Sequence, residues 1–169
     1  MRRNELLDAA EALLGEQGAQ ALTLAAVAQA SGVSKGGLLY HFNSKDALIK
    51  GLVERLIADF DQLMAEQAPR LDTYTKRYVG ATFAVLRTGR VRRWAVVTGA
   101  AGDPELLAPL RAAMARWHSE GLAGEPDPAV SEVVRLACEG VWEVASHTPE
   151  LYSAEHYRDL EGRLLAMLG

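Results

Sequence analysis

The chain has 169 residues, enough for one or two compact units with a buried core. Its 49% hydrophobic and 24% charged residues describe a globular rather than a disordered protein, and a formal net charge of −4 argues against a uniformly basic coat for nucleic acid. The single cysteine, Cys138, excludes an internal disulfide framework and suits a reducing compartment.

Abundant Ala, Leu, Glu and Arg, with few alternating β-branched runs, favour an all-α fold. Glu5, Asp8 and Glu11 interrupt any apolar signal-peptide core, and no run approaches the roughly eighteen apolar residues of a membrane span. A soluble, cytoplasmic chain is expected. The first helix puts Leu6, Leu7, Ala10, Leu13 and Leu14 on one face, with Gly18 as its stop. Thr23 then caps a second helix carrying Leu24, Val27 and Ala28, and Gly32 ends it. Ser34 caps a short third helix from Lys35 to about His41. Two short helices joined by a glycine-containing turn are the means of presenting one helix to the major groove of duplex DNA.

Ser44 caps a long fourth helix of about 22 residues, roughly 33 Å at 1.5 Å per residue. Its stripe runs Leu48, Leu52, Leu56, Phe60, Leu63, and it ends before Pro69. Further helices are expected over 73–88, 92–101, 104–121, 129–147 (with Pro128 in its first turn) and 153–168, nine in all. Residues 1–50 carry five basic and five acidic side chains, so the whole −4 lies in the remainder. A neutral reading head on an acidic body suits a specific binder with few phosphate contacts.

The string Thr23…Val27-Ala28…Ser31-Gly32-Val33-Ser34-Lys35-Gly36-Gly37-Leu38…His41-Phe42…Ser44-Lys45…Leu48 resembles the tetracycline-repressor (TetR) family of bacterial regulators. The match is close over about the first 50 residues and architectural beyond. That family usually has tyrosine directly after the leucine of the recognition helix. Here Leu39 stands there, and Tyr40 follows about 100° further round. The resemblance implies a homodimeric, ligand-responsive repressor with a helix-turn-helix DNA-binding domain at 1–46 and a ligand-binding and dimerisation domain at 47–169.

The expected DNA-binding residues are Thr23, Ser34, Lys35, Gly36, Gly37, Tyr40, His41 and Lys45. Adjacent glycines in a helix cost about 1 kcal/mol each relative to alanine, so their use here points to close backbone approach to DNA rather than a loose turn. Thr23 and Lys45 mark helix N-termini suited to phosphate; the plain alternative is capping and a solvated lysine. Leu38 and Phe42 read as core. Phe60, Met64, Tyr78, Phe83, Trp94, Met114, Trp117 and Trp142 form the candidate walls of an apolar ligand pocket, although each taken singly also fits plain core. Arg77, Glu139, Glu143 and His118 are possible polar handles. Val134, Ala137, Val141, Leu160, Leu164 and Met167 are the expected dimer interface, a four-helix bundle about a two-fold axis. Arg87, Arg90, Arg92 and Arg93 read as a solvated charged loop, and Cys138 as a small buried apolar residue.

No enzyme is expected. His41, His118, His147 and His156 lie at no metal-like spacing, and no nucleophile elbow, phosphate loop or cysteine pair is present. The reading is a repressor without cofactor, whose partners are double-stranded operator DNA, a second copy and a small effector. The alternatives are an architectural DNA-binding protein, which the acidic body opposes, and a helical ligand-binding protein whose head has lost DNA, which Lys35 and Lys45 oppose.

Overall fold

A computed structural model describes residues 3–121 and 124–169; Met1 and Arg2, counted above in the head's charge and signal-peptide readings, lie outside the described residues. Among the described residues the chain forms nine α-helices and no strand: α1 Arg3–Gln17, α2 Leu24–Ala30, α3 Lys35–His41, α4 Lys45–Gln67, α5 Tyr74–Arg87, α6 Val91–Gly99, α7 Ala108–Ser119, α8 Pro128–His147 and α9 Ala154–Met167. The caps are those the sequence advertises. Thr23 Oγ1 accepts from Ala26 N, Ser34 Oγ from Gly37 N and Ser44 Oγ from Ala47 N, at 3.0–3.1 Å. Gly18 and Gly32 follow their helices with φ of 80° and 70°, the left-handed geometry that closes a helix C-terminus.

The expected single helix over 104–121 is in fact a 3₁₀ turn, Pro104–Leu107, followed by α7. Pro109 is the reason. It has no N–H to donate, so an α-helix cannot run through it unbroken, but it fits the first turn of a helix starting at Ala108. The apolar stripe of α4 also ends differently, with Met64 buried and Leu63 only half-buried.

The chain divides into two compact units. One is Met1–Ile57 with Arg93–Arg111; the other is Ala58–Arg92 with Ala112–Gly169. The first unit packs Leu6, Leu7, Ala10, Leu13 and Leu14 of α1 against Val27 and Ala28 of α2, Leu38 of α3, Leu48, Leu52 and Leu56 of α4, and Val97 of α6. Gly51 lets α4 pass the end of α3, because a Cβ there would lie 2.8 Å from Phe42 Cε1. In the second unit α5 packs against α8 and α9 and is buried nearly all round, from Thr75 to Val85.

Candidate functional site

The third helix presents the first candidate surface. Leu38 is fully buried and anchors α3 to the head core, while Lys35, Gly36, Gly37, Leu39 and Tyr40 face solvent. Tyr40 is 86% exposed and touches only the edge of His41, 5.2 Å between ring centroids. A large aromatic side chain held so far out gains little from its own fold. The glycines are equally unexplained from inside. Neither has positive φ, a Cβ on Gly36 would meet nothing nearer than 4.0 Å, and one on Gly37 would touch the Ser34 hydroxyl at an ordinary 3.4 Å.

The other head residues divide by task. Thr23 and Ser34 use their hydroxyls as helix caps. Lys45, itself exposed, donates to Ala19 O at 3.2 Å, at the loop between α1 and α2. Behind this surface Glu11 of α1 receives two guanidinium groups. Arg55 reaches it at 2.5 Å and also bonds Asp8, and Arg93 grips both carboxylate oxygens at 2.7 and 2.8 Å. Bidentate Arg–carboxylate pairs fix orientation as well as distance. Arg93 is therefore a brace within the head unit, and Arg87 pairs with Glu161 at 2.5 Å; the run of arginines is not simply a solvated loop.

The second candidate surface lies wholly in the other unit. Phe60 sits at the centre of rings from Tyr78, Trp117 and Trp142, with centroids 5.4, 4.7 and 6.2 Å away. Phe60, Met64, Tyr78, Phe83 and Trp117 are buried, Trp142 is half-buried and Met114 is exposed. Trp94 lies elsewhere, packed against the core of the first unit. Of the four possible polar handles, two join the rings. The Tyr78 hydroxyl donates to Glu139 Oε1, and His118 Nε2 lies 3.2 Å from the same oxygen. Burial, reinforced by the Glu139 charge, pushes the Tyr78 phenol far above its ordinary range, so it stays a neutral donor. Arg77 instead closes the turn before α5 by donating to Leu71 O and Asp72 O, and Glu143 stands in solvent beside His147.

Sequence reasoning missed a buried polar knot beside this cluster. Arg135, 1% exposed, donates to Thr75 Oγ1 at 3.0 and 2.8 Å and to the carbonyls of Trp117 and His118 at 3.2 and 2.7 Å, and its guanidinium lies over the Tyr74 ring. Glu125 accepts from Thr75 N at 2.7 Å and lies 3.9 Å from Arg135. Burial first of all raises the Tyr74 phenol to about 12. The signal was available: Ser131, Arg135 and Cys138 fall at i, i+4, i+7, on the stripe that α8 buries.

The expected dimer residues are split by the fold. Val134, Val141 and Leu164 are buried within their own unit, so they have no apolar surface left for a second copy. Ala137 and Leu160 are half-buried and Met167 is exposed. The large apolar side chains that α8 leaves in solvent are Val133 and Leu136, 56% and 58% exposed.

Comparison with known proteins places the chain in a family. Residues 6–52 match the profile described as bacterial regulatory proteins, tetR family, and residues 72–169, more than half of the chain, match the tetracyclin repressor-like C-terminal domain. Over 68 residues the chain is 37% identical to the HTH-type transcriptional repressor KstR2 of Rhodococcus jostii (strain RHA1), covering 38% of this chain and only 33% of that relative's length. A transcriptional regulator from Rhodococcus sp. Rha1 shares the fold with a TM-score of 0.74 at 22% identity, over 100% of this chain and 95% of that one. A multidrug binding protein, EbrR, in complex with malachite green does so with a TM-score of 0.70 at 24% identity, over 96% and 97%. Matched in both its helix-turn-helix and its body, the chain belongs to the tetracycline-repressor family of transcriptional regulators.

Proposed function

We propose that this chain is a cytoplasmic, homodimeric repressor that holds an inverted-repeat operator and releases it when a small apolar or amphipathic effector binds. Residues 1–46 read the DNA, and 47–169 pair the subunits and sense the effector. The observation that carries this reading is α3, where an exposed tyrosine, a lysine and two glycines with no internal reason share one short capped helix. Lys35 and Tyr40 reach base edges or phosphate, and the glycines let the backbone come close. Val133 and Leu136 of α8, with Gly140 exposed four residues on and Met167 of α9, supply the apolar face for a second copy. The ring cluster around Phe60 supports an effector site.

Release requires that the effector bind the DNA-incompetent state more tightly; tenfold preference is worth about 1.4 kcal/mol, and a full switch needs about 5.5. The helices α4, α6 and α7 each contribute residues to both compact units. Footprinting the purified chain on DNA upstream of its own gene tests the core of the proposal. Protection of an inverted repeat by two chains is expected. Equal protection of unrelated DNA, or a monomer by sedimentation at micromolar concentration, contradicts it.

A further inference from the structure

We infer that Leu39 is a base-reading residue, selecting thymine through its 5-methyl group in each half of the operator. This rests on the operator-binding reading above and names the base chemistry it uses. In the major groove adenine suits the amide of Asn or Gln, cytosine donates to Asp or Glu, and guanine takes Arg or Lys; thymine alone offers a methyl group to an apolar side chain. The seven residues of α3, Lys-Gly-Gly-Leu-Leu-Tyr-His, include no amide, no carboxylate and no arginine. Guanine therefore has Lys35, and adenine and cytosine have none of their usual readers on this helix. What α3 offers in their place is apolar surface.

The position of Leu39 on the helix points the same way. A helix turns about 100° per residue, so Gly36 and Tyr40 lie opposite the buried anchor Leu38. Leu39 lies about 100° round from that anchor, on the side of Lys35 one turn earlier. It is 38% exposed and stands outside the head core that Leu38 joins, beside the far more exposed Tyr40. Single exposed leucines are common on protein surfaces; this one stands on the proposed reading face, between its lysine and its tyrosine. Lys35 and Tyr40 carry polar atoms that suit phosphate as well as bases. Leu39 carries none, so phosphate offers it nothing, and in the groove the apolar group that it matches is the thymine methyl. Gly36 and Gly37 add no side chain to hold the backbone away from the bases.

The test selects random-sequence duplexes for binding to the full chain and remakes the enriched duplex with uracil for thymine, which removes only the 5-methyl groups. Burying one methyl group is worth about fourfold in affinity, and two half-sites together about tenfold or more. The unsubstituted chain is therefore expected to bind the uracil duplex at least tenfold more weakly in fluorescence anisotropy. Leu39→Ala, with native circular dichroism, is expected to bind the thymine duplex more weakly and to lose most of the difference between the two. Equal binding of both duplexes by the unsubstituted chain overturns the inference, and so does a uracil penalty that survives in full in Leu39→Ala. Selection repeated with Leu39→Asn gives a readout that does not depend on overall affinity. The thymine preference is expected to vanish at one position of each half-site and to persist at the others; an unchanged preference at every position overturns the inference. Enrichment of one sequence with indifference to uracil ends this inference only, whereas no enrichment at all ends the repressor reading with it.

Discussion

At the scale of single residues, burial decides chemistry. Cys138 is fully buried on α8, and burial is the main cause that raises its thiol to about 12. A thiol protonated through pH 8 is a poor nucleophile. A maleimide reagent at pH 8 is expected to leave Cys138 unmodified in the native chain and to label it fully in denaturant; rapid native labelling would show the helix open there. Arg135 is the opposite case, a charge that the fold must surround. Removing its guanidinium strands Glu125 and the Trp117 and His118 carbonyls. Breaking a buried pair from one side destabilises by about 3–5 kcal/mol, so Arg135→Met is expected to lose about that much in urea unfolding. The sequence pointed to Cys138 because a lone cysteine among Val and Ala has an obvious reading. For Arg135 the spacing along α8 marks burial but not partners, which come from 60 and 18 residues away, a range at which helical periodicity carries no information about contacts.

At the scale of elements, helices and caps were legible because their determinants are local. Thr23 and Ser34 each cap the helix expected after them, and Thr73 and Ser153, the first residues of two expected spans, are the caps of those helices. What periodicity left open was orientation. Helix α8 is apolar on two sides, Val134-Cys138-Val141 and Val133-Leu136, and either one can turn inward. The first set is the one buried, and α5 is a helix packed against α8. Pro109 is the converse, a local signal that by itself ends the expected single helix over 104–121. Gly51 gives this scale its test. An added methyl group would meet Phe42 and Leu7 at 2.8 and 3.4 Å, and overpacking of that kind costs about 1–3 kcal/mol. Gly51→Ala is therefore expected to lower the thermal midpoint although alanine is the better helix former. A raised midpoint would mean that α3 and α4 are not held as described.

At the scale of the whole molecule, the claim is that one short helix reads DNA and that a ligand elsewhere in the chain changes how well it does so. Linkage makes the second half strict: an effector that weakens operator binding by some factor must itself bind more weakly, by the same factor, when operator is present. Effector titrations with and without saturating operator are expected to differ; identical affinities would exclude release by this route.

The first half is tested most directly at Gly36 and Gly37. Neither needs glycine for its own fold, so alanine at both should stabilise the free chain, by about 0.5–1 kcal/mol each. If the glycines are there to let α3 approach DNA, the same change must weaken operator binding. The decisive measurement is fluorescence anisotropy of labelled operator with the Gly36→Ala/Gly37→Ala chain, alongside its thermal melt. A raised melting temperature is expected together with operator affinity reduced tenfold or more. A raised melting temperature with operator affinity unchanged would contradict it.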